Sequence, residues 1–197
     1  MIPILILAGG SSRRMMGRDK LLETVAGKPL LRRLAMRALD TGCDVFVALP
    51  PDSADRVTVL DGLAVTPLLI DAAGDGMGAT LRDSVAQLPP CPAFMVVLGD
   101  MPDITTSDMG AIIAARDDNP DNLIWRASTL DGAHGHPVIF DASLRGAFAT
   151  LSGDRGAASI VAPLGEKTHL EPLADDRARC DLDMPADWAA WRARTSK

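Results

Sequence analysis

The stretch "LILAGGSSRRMMGRDKLL", residues 5–22, joins an apolar run to two glycines and then to a cluster of positive charge. The full apolar run, Ile2–Ala8, predicts a strand that is covered on both faces, because it lacks the polar alternation of a half-exposed strand. In α/β sheets, ligands bind beyond the carboxyl ends of the strands. The residues that follow Ala8 are therefore expected at a ligand-binding edge.

The composition of this loop suits a nucleoside triphosphate. Gly9 and Gly10 let backbone N–H groups approach phosphate oxygens without a Cβ in the way, and Ser12 adds a hydroxyl donor. The planar guanidinium of Arg14 can contact two phosphate oxygens at once, whereas the Lys20 ammonium is a compact single charge. Together they can neutralise a triphosphate. Neither a Walker A loop nor a G-x-G-x-x-G fingerprint is present in the sequence, which excludes those two familiar phosphate sites. The alternative is a plain Gly-Gly turn with surface arginines.

Positive charge is concentrated near the start of the chain. The 197 residues carry a net charge of −6, yet eight of the 20 lysines and arginines lie in residues 13–37. An acidic protein with one basic patch favours a local anionic ligand over a nucleic-acid polymer. Within this patch, Arg32, Arg33 and Arg37 are expected to form the solvent-exposed face of a helix.

Other features of the composition exclude several classes of partner. Cys43, Cys91 and Cys180 are scattered, which favours reduced cysteines in a cytoplasmic protein over a disulfide framework or a zinc site. No apolar run reaches the roughly 18 residues that span a bilayer, so no membrane partner is expected. Tyr is absent and aromatic residues are few, so no stacking platform for nucleic acid is expected either.

Short apolar runs alternate with helical patterns along the chain. This alternation predicts an α/β fold, a Rossmann-like three-layer sandwich with a mostly parallel sheet, a small β-extension and one domain over residues 1–197. Strands are predicted at Ile2–Ala8, Val45–Leu49, Thr66–Ile70, Ala93–Leu98, Leu123–Arg126 and Pro137–Phe140. The last two are expected to form a ribbon through Asp131 and Gly132. Helices are predicted at Pro29–Leu39, Asp52–Leu60, Met77–Leu88, Ser107–Ala115, Ser143–Thr150, Ala157–Ala162 and Pro185–Arg194.

Carboxylates occupy two positions that suit a metal ion. Asp100 ends an apolar strand, where its side chain is exposed at the ligand edge, and Mg²⁺ prefers oxygen ligands of this kind. Asp181 and Asp183 flank Leu182, so both point to one face of an extended segment. Either residue could be a second ligand, although both also suit the approach to the last helix. For Asp100 the alternative is a helix cap.

A second glycine-rich segment, "AAGDGMGATL", precedes the helix predicted to start at Met77. Gly76, Met77 and Gly78 would place free backbone N–H groups and the positive end of the helix dipole next to a base or ribose. A flexible connection that starts a helix is the alternative.

The sequence resembles a known family. "LAGGSSRRMMGRDKLL" is similar to the L-A-[AG]-G-x-x-x-R-M-G-x-x-K signature of the MobA-like nucleotidyltransferases, apart from an inserted or substituted methionine at Met15-Met16-Gly17. Six further segments follow in the family's order: "GKPLL" (27–31), "GMGATL" (76–81), "LGDMP" (98–102), "GHPVIF" (135–140), "GDRGA" (153–157) and "DLDMPADW" (181–188).

This resemblance implies the fold of the nucleotide-diphospho-sugar transferases and an enzyme that transfers CMP or GMP from CTP or GTP to molybdopterin, with Mg²⁺. Arg14, Lys20 and Asp100 would be catalytic, and Asp100 and Asp183 would bind the metal. His136 and Arg155 would contact the acceptor. The implied nucleotide-binding residues are Leu7, Ala8, Gly9, Gly10, Ser12, Arg14, Lys20, Gly76, Met77 and Gly78.

The sequence contains motifs that resemble each of the two branches of the family. "GMGATL" and "GHPVIF" resemble the cytidylyltransferases, whereas "LAGG" and the "RDK" ending resemble the guanylyltransferases. More segments favour CTP. Another phosphate acceptor, such as a sugar 1-phosphate, and a non-catalytic cofactor-binding module are the alternatives. A molybdoenzyme or its chaperone is the further partner that the resemblance implies.

Overall fold

The apolar run at the start of the chain forms strand β1, Ile4–Leu7, in which Ile4, Leu5 and Ile6 are fully buried. In the computed structural model, which describes residues 2–195, β1 pairs in parallel with a strand on each side. The prediction of a strand covered on both faces is confirmed.

The sheet is built around this strand. Nine strands lie within the described residues: β1 (Ile4–Leu7), β2 (Thr24–Val25), β3 (Lys28–Pro29), β4 (Val45–Leu49), β5 (Val65–Leu69), β6 (Ala93–Leu98), β7 (Ile124–Ser128), β8 (His134–Asp141) and β9 (Thr168–Pro172). Seven of them form one sheet in the order β5-β4-β1-β6-β8-β7-β9, and β2 pairs with β3 in a separate hairpin. Only β8 runs against its neighbours, so the main sheet is mostly parallel.

Helices connect most of the strands. In the part of the chain that the structure describes they are α1 (Leu30–Leu39), α2 (Ala54–Thr58), α3 (Met77–Gln87), α4 (Thr106–Asp118), α5 (Arg145–Phe148), α6 (Ala158–Val161) and α7 (Pro185–Thr195). Among residues 2–195, none of the helices has the length and hydropathy needed to cross a bilayer.

The alternation of side chains along β1 builds a core on each face of the sheet. Ile4 and Ile6 pack in one cluster with Leu34 of α1 and Ile112 of α4. Leu5 points the other way, into a cluster that contains side chains of α3 and three mutually packed phenylalanines. These two cores define three layers, and the predicted fold class is confirmed.

The second half of the chain differs in detail from the sequence prediction. The ribbon predicted through Asp131 and Gly132 is present, and β7 and β8 form the predicted β-extension by continuing the main sheet beyond β6. Strand β9 was not predicted, because its residues are polar and only partly buried. It pairs in parallel with β7 at the edge of the sheet, where one face needs no apolar cover.

The expectation of a solvent-exposed basic face on α1 is wrong for two of its arginines. Arg32 donates hydrogen bonds to two backbone carbonyls of the 59–61 turn. Arg37 donates to the carbonyls of Pro102 and Ile104. Both side chains therefore hold loops against the helix.

Helix α7 packs against the loop that follows β1. Its Trp188 is buried against Met15, Val25, Leu30 and Leu182. This small cluster joins the loop after β1 to the segment that precedes α7. It therefore positions two parts of the chain that are about 170 residues apart.

Candidate active site

The loop after β1 and the carboxylate after β6 lie side by side. Leu7 pairs with Leu98 at the carboxyl ends of the two adjacent parallel strands, and the Gly99 N–H donates to the Leu7 carbonyl at 2.9 Å. A Cβ at Gly99 would lie 2.9 Å from that carbonyl oxygen, so the residue before Asp100 must be small. The register of the sheet thus brings the glycine loop and Asp100 to one edge.

A cleft of about 1170 Å³ opens at this edge, which is ample space for a nucleotide. Its walls come from the loop after β1, the turns after β4 and β5, and the start of α3. Three carboxylates and one lysine lie together in its lining, namely Asp100, Asp181, Asp183 and Lys20. Of the predicted nucleotide-binding residues, the lining includes Leu7, Ala8, Gly9, Gly10, Lys20, Gly76 and Met77.

Lys20 lies between two carboxylates. Its Nζ is 2.5 Å from Asp100 Oδ2 and 2.5 Å from Asp183 Oδ1, and only 12% of its side chain is exposed. Burial alone would lower the pKa of Lys20, but the charges and hydrogen bonds of the two carboxylates outweigh burial and raise it. The amine is therefore protonated, and its single positive charge offsets part of the negative charge of the two carboxylates.

Arg14 lies on the outer side of this cluster. Its guanidinium donates to Asp183 Oδ2 at 3.0 Å, and 70% of its side chain is exposed. Exposed ion pairs of this kind contribute little stability. Arg14 can therefore leave Asp183 for a phosphate group at small cost.

Three carboxylates form a donor set that fits a divalent cation. Asp100, Asp181 and Asp183 each offer an oxygen atom, and these atoms lie within 4.8 Å of one another. The other oxygen of Asp100, Oδ1, is buried and has no hydrogen-bond partner among the described residues. Oxygen donors in this number suit Mg²⁺ or Mn²⁺. Burial and the charge of Asp100 raise the pKa of Asp181, because both disfavour its ionised form.

Sequence reasoning missed Arg56 of α2, whose side chain is buried beneath the glycine loop. Its Nε donates to Asp19 Oδ2 at 2.6 Å, and its two terminal nitrogens donate to the carbonyls of Ala8 at 2.5 Å and Gly10 at 2.8 Å. One side chain thus fixes three points of the loop. The only signal in the sequence was a lone arginine shortly after β4.

Ser12 takes part in the internal bonding of the loop. Its hydroxyl donates to Asp19 Oδ1 at 3.2 Å and accepts from the Lys20 N–H at 3.2 Å. Ser12 has φ +50°, in the left-handed region. These contacts fold the loop back so that Lys20 returns to the carboxylates.

The second glycine segment packs against the 152–154 loop. The Gly78 N–H donates to the Gly153 carbonyl at 2.7 Å, and a Cβ at Gly78 would lie 2.7 Å from the Ser152 carbonyl oxygen. Gly76 has φ +106° and lies equally close to the same loop. The two glycines thus permit a close backbone approach, and the Gly78 N–H already has a protein acceptor.

The two residues predicted to contact the acceptor lie outside the lining of the cleft. Arg155 is exposed, next to Asp154, which does line it. His136 is half-buried on β8, and its Nδ1 is buried with no hydrogen-bond partner in residues 2–195. Burial and then the charge of Arg126 lower the pKa of His136 to about 4. Any contact that His136 makes with an anion at neutral pH is therefore a hydrogen bond, because the ring is uncharged.

This low pKa predicts a pH-dependent loss of stability. Between about pH 6.5 and pH 4 the unfolded chain binds a proton at His136 that the folded protein excludes, so stability falls as the pH decreases through this interval. The difference is up to about 3 kcal/mol. We expect urea unfolding of the His136→Gln variant to depend less on pH here than that of the wild type. His134→Gln, which alters an exposed histidine, should keep the wild-type slope. Parallel profiles for wild type and His136→Gln would contradict this expectation.

The structure has a mostly parallel sheet in a three-layer α/β fold of the nucleotide-diphospho-sugar transferase type, with a cationic glycine loop and a carboxylate cluster at one edge. Residues 4–170 match the family described as "MobA-like NTP transferase domain", and the chain belongs to that family.

Relatives and solved structures agree on the fold and differ in their named activities. Nicotine blue oxidoreductase of Paenarthrobacter nicotinovorans is 28% identical over 185 residues, covering 90% of each chain. Molybdenum cofactor guanylyltransferase of Bradyrhizobium sp. (strain ORS 278) is 32% identical over 141 residues, covering 70% of this chain and 64% of that protein. The crystal structure of Rv0371c in complex with manganese, from Mycobacterium tuberculosis H37Rv, superposes with a TM-score of 0.78 at 21% identity over 96% of each chain. Because the named reactions differ, the reaction of this protein must be argued from its site.

Proposed function

We propose that this protein transfers a nucleoside monophosphate from a nucleoside triphosphate, with CTP as the donor, to the phosphate of a molybdopterin-type acceptor. The observation that carries the proposal is the position of Lys20 between Asp100 and Asp183. These three residues line the same cleft as Gly9 and Gly10. Nucleotidyl transfer requires a cationic side chain, carboxylates and exposed backbone N–H groups close together, because these groups stabilise the charge of the reacting phosphates.

The reaction is a substitution at phosphorus. An oxygen of the acceptor phosphate attacks the α-phosphorus of the nucleotide, the bond from that phosphorus to the bridging oxygen breaks, and pyrophosphate leaves. Gly9 and Gly10 would hold the triphosphate through the loop backbone, and Arg14 and Lys20 would neutralise the leaving pyrophosphate. Positioning and charge neutralisation supply catalysis of this kind, so no side-chain nucleophile is required.

Asp100 and Asp183, together with Asp181, would hold a divalent cation, which we propose is Mg²⁺. When bound, such an ion neutralises phosphate charge and lowers repulsion toward the incoming anion. The relative crystallised with manganese supports a divalent cation in this fold. His136 and Arg155 would contact the acceptor from the β8 side and from the 152–157 loop respectively.

The donor nucleotide separates this proposal from its main alternative. The segments "GMGATL" and "GHPVIF" support CTP, whereas the relative named molybdenum cofactor guanylyltransferase supports GTP. The test is product formation by the purified protein with molybdopterin, Mg²⁺ and either CTP or GTP. Preferential turnover of CTP supports the proposal, and preferential turnover of GTP replaces the donor. Turnover of neither would refute molybdopterin as the acceptor.

The cell compartment and further partner follow from the same proposal. We place the reaction in the cytoplasm, which the free thiols of Cys43, Cys91 and Cys180 support. A molybdoenzyme or its chaperone would receive the product.

The Lys20 ammonium lies between two of the proposed metal ligands, which predicts competition with the metal. We expect Lys20→Met to bind Mn²⁺ roughly tenfold more tightly than the wild type when no nucleotide is present, because the ammonium no longer competes for Asp100 and Asp183. The same variant should lose turnover, since it no longer neutralises the phosphates. Electron paramagnetic resonance of free Mn²⁺ measures the first effect.

Lys28→Met is the matched control, because Lys28 is exposed on β3 and lies outside the lining of the cleft. It should bind Mn²⁺ as the wild type does. If Lys20→Met binds Mn²⁺ no better than the wild type, the ammonium does not compete with the metal.

A further inference from the structure

A second cavity, of about 990 Å³, lies apart from the nucleotide cleft and shares none of its lining residues. It is enclosed by the β2–β3 hairpin, α1, the loop that follows Asp100, the 175–177 turn and α7. The described part of its wall contains five arginines and three aspartates: Arg33, Arg37, Arg177, Arg192, Arg194, Asp103, Asp175 and Asp176. The wall therefore carries an excess of positive charge in a protein whose net charge is −6.

Three of these arginines already have carboxylate partners. The pairs are Arg177 with Asp108 and Asp175, Arg192 with Glu23, and Arg194 with Asp103. Their charge is balanced within the protein. Arg33 and Arg37, both on α1, are the two arginines of the wall without a carboxylate at ion-pair distance among the described residues.

Arg33 and Arg37 lie one helical turn apart on the same face of α1. Arg37 donates to two backbone carbonyls and has no carboxylate within ion-pair distance among residues 2–195. Burial, followed by the charge of Arg33, lowers the pKa of Arg37. These two like charges destabilise each other, and an anion between them would remove that cost.

Arg33 is the unsatisfied member of the pair. Its Nε is buried and has no hydrogen-bond partner in the described structure, and the side chain has no ion pair there. A buried N–H donor without an acceptor is costly, and a guanidinium fork matches the two oxygens of a phosphate or carboxylate. The Trp191 indole also lies in the cavity wall, where its ring offers an apolar surface next to these donors.

We propose that this second cavity binds a small molecule that carries an oxyanion, either a phosphate or a carboxylate group, with Arg33 as the principal contact. The volume is within the range of small-molecule sites. Binding here is independent of the nucleotide donor and of the acceptor. A negative result for this cavity would therefore leave the proposed transferase activity unaffected, and the reverse also holds.

The three tryptophans make the proposal testable in solution. In a ¹⁵N-labelled protein the indole N–H of Trp191, assigned with Trp191→Phe, reports on the cavity, and Trp125, buried in the core, reports on the fold. Inorganic phosphate and citrate are titrated separately, each against sodium chloride of equal ionic strength. We expect a saturable shift of the Trp191 signal with at least one of the two. The anion that produces it identifies the group, phosphate or carboxylate.

Variants at Arg33 decide whether the cavity is responsible. Arg33→Gln should weaken binding at least tenfold and leave the Trp125 signal in place, and Arg33→Lys should weaken it less because the charge remains. Lys167→Gln, which also removes one positive charge but lies outside the cavity, should bind as the wild type does. An equal response to chloride, no saturable shift, or unchanged binding by Arg33→Gln would overturn the proposal.

Discussion

Asp100→Ala should reduce turnover by roughly a thousandfold or more while nucleotide binding changes by less than about tenfold. A divalent cation supplies several kcal/mol of charge stabilisation in phosphoryl chemistry, and each factor of ten corresponds to about 1.4 kcal/mol. Asp100 is the only carboxylate of the cluster that combines an ion pair to Lys20 with a buried, unpartnered oxygen in the described residues. The glycine loop and Lys20 remain in the variant, so the triphosphate keeps most of its contacts. Pyrophosphate release measures turnover, and titration calorimetry with nucleotide measures binding.

Asp117→Asn is the matched control for this experiment. Asp117 is an exposed carboxylate on α4 that pairs with Arg116 and lies outside the lining of the cleft, so its loss should leave turnover unchanged. Asp100→Asn keeps the shape of the side chain and should fail in turnover as Asp100→Ala does. Turnover of Asp100→Ala within tenfold of the wild type would remove Asp100 from the mechanism.

Arg56→Met should lower the free energy of unfolding by about 3 kcal/mol, because it leaves Asp19 and the carbonyls of Ala8 and Gly10 without their buried donor. Nucleotide binding should weaken as well, since the loop loses the side chain that fixes its backbone. Urea unfolding measures the first effect, and nucleotide titration measures the second.

Arg18→Met provides the comparison for Arg56. Arg18 belongs to the same loop but is exposed and pairs with Glu23 at 3.4 Å, so its loss should cost less than about 1 kcal/mol. A double-mutant cycle of Arg56→Met with Asp19→Asn should give a coupling energy above about 1 kcal/mol. A loss of stability below about 1 kcal/mol for Arg56→Met would show that the loop does not depend on this side chain.

Much of the fold was predictable from local pattern. The apolar runs of β1, β4 and β6 have no polar alternation, and this property alone indicates strands buried on both faces. Helices α1 and α3 were predicted within two residues of their bounds because apolar spacing, glycine and proline mark both ends. Strand β9 carries no such signal, since its hydrogen bonds to β7 stabilise it and apolar side chains do not.

The candidate site likewise contains some residues that local sequence patterns predicted and others that they did not. Residues with strong local context were predicted from the sequence and lie in the cleft, among them Lys20 in the glycine loop and Asp100 at the end of its strand. Arg56 was not, because it has no motif around it and acquires its role only when β4 lies beside β1. The arginines of α1 were misassigned to solvent for the same reason, since the loops that they contact come from distant parts of the chain.

The sequence by itself determined most of the order of strands and helices, the family, and the residue types at the ligand edge, because periodicity and short motifs are local properties. Only the tertiary structure decided that Lys20 lies between Asp100 and Asp183, which are 80 and 163 residues away from it. Contacts over such separations depend on which strands become neighbours and on how α7 packs over the loop. Burial on both faces of one sheet settles those choices, and no local pattern encodes them.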